Sequence, residues 1–144
     1  MGFFDFFSSK PKYSEREIMA KGMAGVAAYQ RRNFRDAAHF FAEYFDMKGV
    51  GNYPTLDQDD FQMKMNLMMS NFYIGNYRSS ADTCTDIINN LSPTGDTYAF
   101  LALSQYKLGN HTEANKNWDI AKRRNSQIAG LFNSISDVRM QGFN

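Results

Sequence analysis

One cysteine, no excess charge and no long apolar run are what this chain offers a biochemist looking for a secreted, nucleic-acid-binding or membrane protein. Cys84 stands alone and cannot form an internal bridge. No basic stretch followed by an apolar run opens the sequence, so the expected compartment is reducing and cytoplasmic. Asn90-Leu91-Ser92 and Asn110-His111-Thr112 then match a glycosylation motif by chance. No apolar stretch approaches the roughly 20 residues of a membrane-spanning helix. A net charge of +1 gives no global reason to expect nucleic acid or a polyionic partner. Also missing are a Gly-rich phosphate loop, a nucleophile elbow and a Cys-x-x-Cys pair, which leaves little basis for catalysis. What remains is a chain of 144 residues, long enough for one domain with a continuous core.

Ile74-Gly75-Asn76-Tyr77 and Leu108-Gly109-Asn110-His111 share an aliphatic-Gly-Asn-ring pattern, with glycines 34 residues apart. That is the period of one helix-turn-helix repeat. A fainter copy, Arg32-Asn33-Phe34, lies 43 positions before the Gly75 motif, as if nine residues had been inserted.

Apolar residues elsewhere recur at helical spacing, and Gly, Asn, Ser and Pro fall between the periodic segments. The pattern predicts a helix capped by Ser14, with Glu17 completing a capping box, and running to about Arg31. Further helices are expected at about 34–47, 57–74, 77–91, 94–108 and 111–124. Gly49 to Pro54 should break the chain as the inserted loop. Ile128, Leu131, Phe132, Ile135 and Val138 form one apolar stripe, suited to a terminal helix at about 126–141 that covers the last repeat.

The third unit carries Tyr98, Leu101, Ala102, Tyr106, Leu108, Gly109, Ala114, Trp118 and Ala121. In this it resembles a tetratricopeptide repeat. The first unit is similar but looser, with Ala24, Gly25, Ala37, Phe41 and Tyr44 in the corresponding places. The second departs: Met68 replaces a small residue, Ser80 an alanine and Cys84 an aromatic, so its helices should be spread or rotated. The resemblance implies an all-α, right-handed superhelical solenoid of three antiparallel helix pairs, at about 14–48, 57–91 and 94–125, plus the capping helix. Residues 1–12 form a separate Phe-rich segment and linker.

In such a solenoid the first helices of each pair line a concave groove, the default binding site. The expected lining is Met19, Met23, Val26 and Tyr29, then Met65, Asn66, Met69, Phe72 and Tyr73, then Phe100, Leu103 and Tyr106. Methionine is flexible and polarizable and recurs on surfaces that accept varied apolar partners. The competing explanation is that this stripe is simply core. The family's carboxylate clamp for acidic chaperone tails is not matched: only Asn66 fits, with Gly22, Val26, Asp96 and Phe100 at the other positions. These features suggest a non-enzymatic protein–protein interaction module, an adaptor or small chaperone that holds an apolar or amphipathic segment and needs no cofactor. The short three-repeat chaperones of bacterial secretion translocators are similar in size and groove character.

Phe3, Phe4, Phe6 and Phe7 crowd the N-terminus, ahead of the Ser8-Ser9-Lys10-Pro11-Lys12 linker. They could cap their own domain, enter a neighbouring subunit's groove as a homo-oligomer arm, or lie in a membrane surface. Too few cations follow for a polybasic anchor, and Phe6 stands where N-myristoylation wants serine or threonine. Asp36, His39 and Glu43 have metal-ligand spacing, but the register places them on the solvated side, and no metal is expected. His111 reads as the first ring of its helix, and Cys84 as a small buried hydrophobe. Arg31-Arg32 and Lys122-Arg123-Arg124 fall at helix C-termini, where cations complement the dipole. Neighbouring carboxylates argue against a nucleic-acid surface.

Overall fold

Ser14 opens the first helix in the way its spacing to Glu17 predicts. In the computed structural model, which describes residues 12–55 and 57–133, Ser14 Oγ accepts the Glu17 N–H at 3.1 Å. Glu17 Oε1 accepts the Ser14 N–H at 2.8 Å, completing the capping box. The helices are α1 (Glu15–Gln30), α2 (Phe34–Val50), α3 (Phe61–Tyr73), α4 (Tyr77–Asn90), α5 (Gly95–Lys107), α6 (His111–Arg124) and α7 (Ile128–Asn133). A 3-10 turn, Gln58–Asp60, leads into α3, and no strand occurs among the described residues. The terminal stripe is therefore seen only in part: Ile135 and Val138, like the Phe-rich residues 1–11, lie outside the described residues.

The repeated sequence signature corresponds to a repeated turn. After α1, α3 and α5 the chain enters the left-handed region at Arg32 (φ 61), Gly75 (φ 85) and Gly109 (φ 88). At each turn the next residue's N–H returns to a carbonyl five positions back: Asn33 to Ala28, Asn76 to Asn71, Asn110 to Gln105. The left-handed residue bonds three back, to Tyr29, Phe72 and Tyr106 respectively, which completes a Schellman motif. The same asparagine then accepts the first intrahelical bond of the following helix, from Ala37, Ser80 or Ala114. One residue thus ends one helix and starts the next, and the two must fold back as a hairpin.

A ring bridges each turn as well. Tyr29 meets Phe34 at 5.3 Å, Phe72 meets Tyr77 at 5.3 Å, and Tyr106 stacks on His111 at 4.4 Å. His111 therefore acts as the ring its position predicts.

The break after α2 falls later than the glycines suggest. The helix runs through Gly49, and the left-handed residue is Asn52 (φ 62), with Asn52 N–H bonding Gly49 O and Tyr53 N–H bonding Lys48 O. Asparagine tolerates this conformation, so it supplies the stop that a lone glycine within the helix does not enforce.

Helices pack mainly on their chain neighbours, and α3 also touches α1 and α5. In each second helix the fourth, eighth and eleventh residues beyond the turn asparagine face inward. Ala37, Phe41 and Tyr44 correspond to Ser80, Cys84 and Ile87 and to Ala114, Trp118 and Ala121, all buried. The first-helix partner differs in size. Gly25 lies so close to Phe41 that an added Cβ would sit 2.7 Å from its ring. The equivalent positions hold bulky Met68 with small Cys84 in the second hairpin, and Ala102 with Trp118 in the third. Bulk has changed sides in the second hairpin.

Candidate functional site

Met19 and Met23 stand one helical turn apart on α1 and are 50% and 64% exposed, so that two long apolar side chains are uncovered side by side. Val26 and Tyr29 continue that face and are half-buried. Tyr29 reaches α3, its hydroxyl donating to Met69 Sδ at 3.6 Å. Burial raises the Tyr29 phenol above its usual range, with Tyr73 adding to the shift and Arg32 partly opposing it. The Tyr73 ring lies 4.6 Å from Phe34 and 6.3 Å from Phe100. Met69, Tyr73 and Tyr106 are likewise half-buried.

The remaining predicted groove residues are not on this surface. Met65, Phe72, Phe100 and Leu103 are only 2–5% exposed and belong to the main core cluster. Asn66 is also buried, its Oδ1 accepting from Gln62 Nε2 at 2.9 Å. The cause is position in the stack. A central first helix has neighbours on two sides: α3 lies against α1, α2, α4 and α5, and α5 against α3, α4, α6 and α7. All six residues from Ala99 to Ser104 are buried, so α5 is covered all round over this stretch rather than along one stripe. Phe132 of α7 completes the enclosure, 4.9 Å from Phe100 and 6.3 Å from Trp118. Thr97 Oγ1, fully buried, lies 3.4 Å from Met65 Sδ, a contact the pattern of apolar residues did not reveal.

The inserted segment contributes directly, a role that its Gly-, Asn- and Pro-rich composition does not announce. Tyr53 and Pro54 join Ile18, Met19, Tyr44 and Lys48 around a small cavity of about 160 Å³ beside the exposed methionines. Tyr53 donates its hydroxyl to Tyr13 O at 3.4 Å, holding the loop to the start of α1. Behind it, buried Asp60 accepts from the Tyr44 hydroxyl at 2.7 Å and pairs with Lys48. Burial and the Asp60 carboxylate push the Tyr44 phenol up. This network ties the end of the inserted segment to α2.

A larger cavity of about 510 Å³ lies on the other flank of the first hairpin, between Tyr13, Glu17, Ala20 and Lys21 on one side and Glu43, Asp46, Met47 and Val50 on the other. Lys21 Nζ is 3.0 Å from Glu43 Oε1 and forms an ion pair with it, and His39 Nε2 lies 3.5 Å from the same oxygen. Among the described residues no cluster of three or more His, Cys, Asp and Glu is placed to hold a metal ion. Cys84 is fully buried among the core side chains, and burial drives its thiol pKa up. Of the basic clusters, Arg124 donates to Pro93 O at 3.1 Å and lies over Tyr98, while Arg32 lies over Phe34. Among the described residues no helix is long and apolar enough to cross a membrane.

The described chain is thus an all-helical stack of hairpins with a helical-repeat character, presenting an apolar α1 face at its N-terminal end. Comparison with protein families, curated proteins and solved structures found no match to this chain.

Proposed function

We propose that the chain is a non-enzymatic interaction module, built as a tetratricopeptide-like superhelix, that holds an apolar or amphipathic protein segment. The seat is the first-helix face formed by Met19, Met23, Val26 and Tyr29, extended by Met69 and Tyr73. Supporting this reading above all is the joint exposure of Met19 and Met23, because two adjacent uncovered methionines are an unfavourable way to finish a surface that touches only water. The reading is narrower than a groove running the length of the stack, since the central first helices are enclosed. An adaptor or small chaperone in the cytoplasm is the corresponding role.

The test uses Met19→Asp and Met23→Asp, whose side chains are exposed enough to leave the helices intact. A fluorescently labelled synthetic helix with leucines at i, i+3, i+4 and i+7 should bind the unaltered chain and lose at least tenfold in affinity to the double variant. Equal binding to both proteins, with unchanged circular dichroism, rejects the proposal.

A further inference from the structure

The 510 Å³ cavity occupies a particular place in the stack. The first hairpin meets α3 through one flank: an added Cβ on Gly22 would touch both Tyr44 and Met63, Tyr29 bonds Met69, and Lys48 pairs with Asp60. The cavity residues lie on the opposite flank of both helices, which no described helix covers. Stacked repeats require a cap at such an end. At the other end α7 supplies it, burying Ile128 and Phe132.

We infer that the Phe-rich segment within residues 1–11 of the same chain docks in this cavity and serves as the N-terminal cap. Three observations converge. The tether is already in place, because Tyr13 is itself part of the cavity wall. Phe6 and Phe7 are six or seven residues from Tyr13, and at about 3.3 Å per residue they reach across the hairpin end with chain to spare. The space suits the cargo: Ala20, Met47 and Val50 give apolar contact, Val50 is 53% exposed, and the volume falls in the range of about 300–1,000 Å³ that takes an organic ligand. The charges also match. Glu17, Glu43 and Asp46 outnumber Lys21 at the rim, whereas the tether carries Lys10 and Lys12 against Asp5. This site is separate from the partner-binding face on α1, so either proposal can fail alone.

Methionine methyl NMR on the full chain distinguishes the possible seats, since Met47 reports the cavity and Met19 and Met23 report the other face. The expected result is a ring-current shift at the Met47 methyl that is lost in Phe6→Ala/Phe7→Ala and equally lost in Val50→Asp, with the Met23 signal unmoved. The Met47 shift should be independent of protein concentration, and light scattering should give a monomer. A shift at Met19 or Met23 instead of Met47, or none anywhere, overturns the inference. So does a Met47 shift that disappears on dilution together with a dimer, which would make the occupant a second copy. Co-sedimentation with anionic phosphatidylglycerol vesicles that depends on the phenylalanines, with Met47 unshifted, would assign the segment to a membrane surface.

Discussion

The first and last hairpins are built on the same turn yet finished differently, and the contrast explains which surfaces are free. At the C-terminal end Phe132 is inserted edge-on toward Phe100 and Trp118, and the helix it belongs to closes the core. At the N-terminal end the described residues leave a cavity on one flank and two exposed methionines on another. The seams differ too. Between the second and third hairpins the contact is chiefly aromatic and aliphatic, through Phe72, Phe100 and Leu103. Between the first and second it includes half-buried Lys48 with buried Asp60 and Lys64, the last with its ammonium 4.4 Å from the centre of the Phe45 ring. An end that is polar in its seam and open at its flank is the part of the molecule able to adjust to another chain.

The contrast can be broken most severely at the closed end. Phe132→Ala should cost about 3–5 kcal/mol, the usual range for emptying an aromatic core position. Trp118, the single tryptophan, should report it by an earlier red shift of fluorescence in urea. A loss below about 1 kcal/mol would mean that α7 does not act as the cap. Next in size is Gly25→Ala, where the new Cβ meets the Phe41 ring at 2.7 Å. Overpacking there should cost about 1–3 kcal/mol despite alanine's better helix propensity, and Phe41→Leu in the same chain should recover most of it. Chemical denaturation of the two single variants and the double variant measures this coupling.

A smaller effect distinguishes the turns. Arg32 holds the left-handed position that glycine fills in the other two hairpins. Arg32→Gly should stabilise by up to about 1 kcal/mol, relief of strain being partly offset by the looser unfolded chain, while Gly109→Ala should lose about as much. No difference in melting temperature between the two substitutions would show that the three turns are not equivalent. Smallest is the effect of Lys64→Met on the polar seam. Burial lowers the Lys64 pKa, with Asp86 and Asp60 pulling it partly back. Its folded value lies below its unfolded one, so burial costs stability while both states are protonated. That cost fades as the pH rises through the folded value toward the ordinary 10.5. The variant should therefore be the more stable protein at neutral pH, with an advantage that shrinks in alkaline denaturation series.

Helix positions were legible in the sequence because local chemistry fixes them. The Ser14–Glu17 box, the asparagines at 33, 76 and 110, and the breaks at Pro54 and Pro93 act within a few residues of themselves. Even Arg32, which lacks the glycine, was found by its neighbours Asn33 and Phe34. The candidate site was only half legible. Met23 and Met65 occupy the same kind of apolar stripe, and nothing in their local sequence separates them. One is 64% exposed and the other 5%.

The chain alone settled where helices begin and end and that they fold back in pairs, since capping bonds and left-handed turns are short-range and each residue carries its own preference. Which apolar side chains reach water was settled only by assembly, because the number of neighbours a helix acquires depends on its place in the stack. Met65 has hairpins on both sides and disappears into the core; Met19 and Met23, at the end of the row, have no second neighbour among the described helices and stay open.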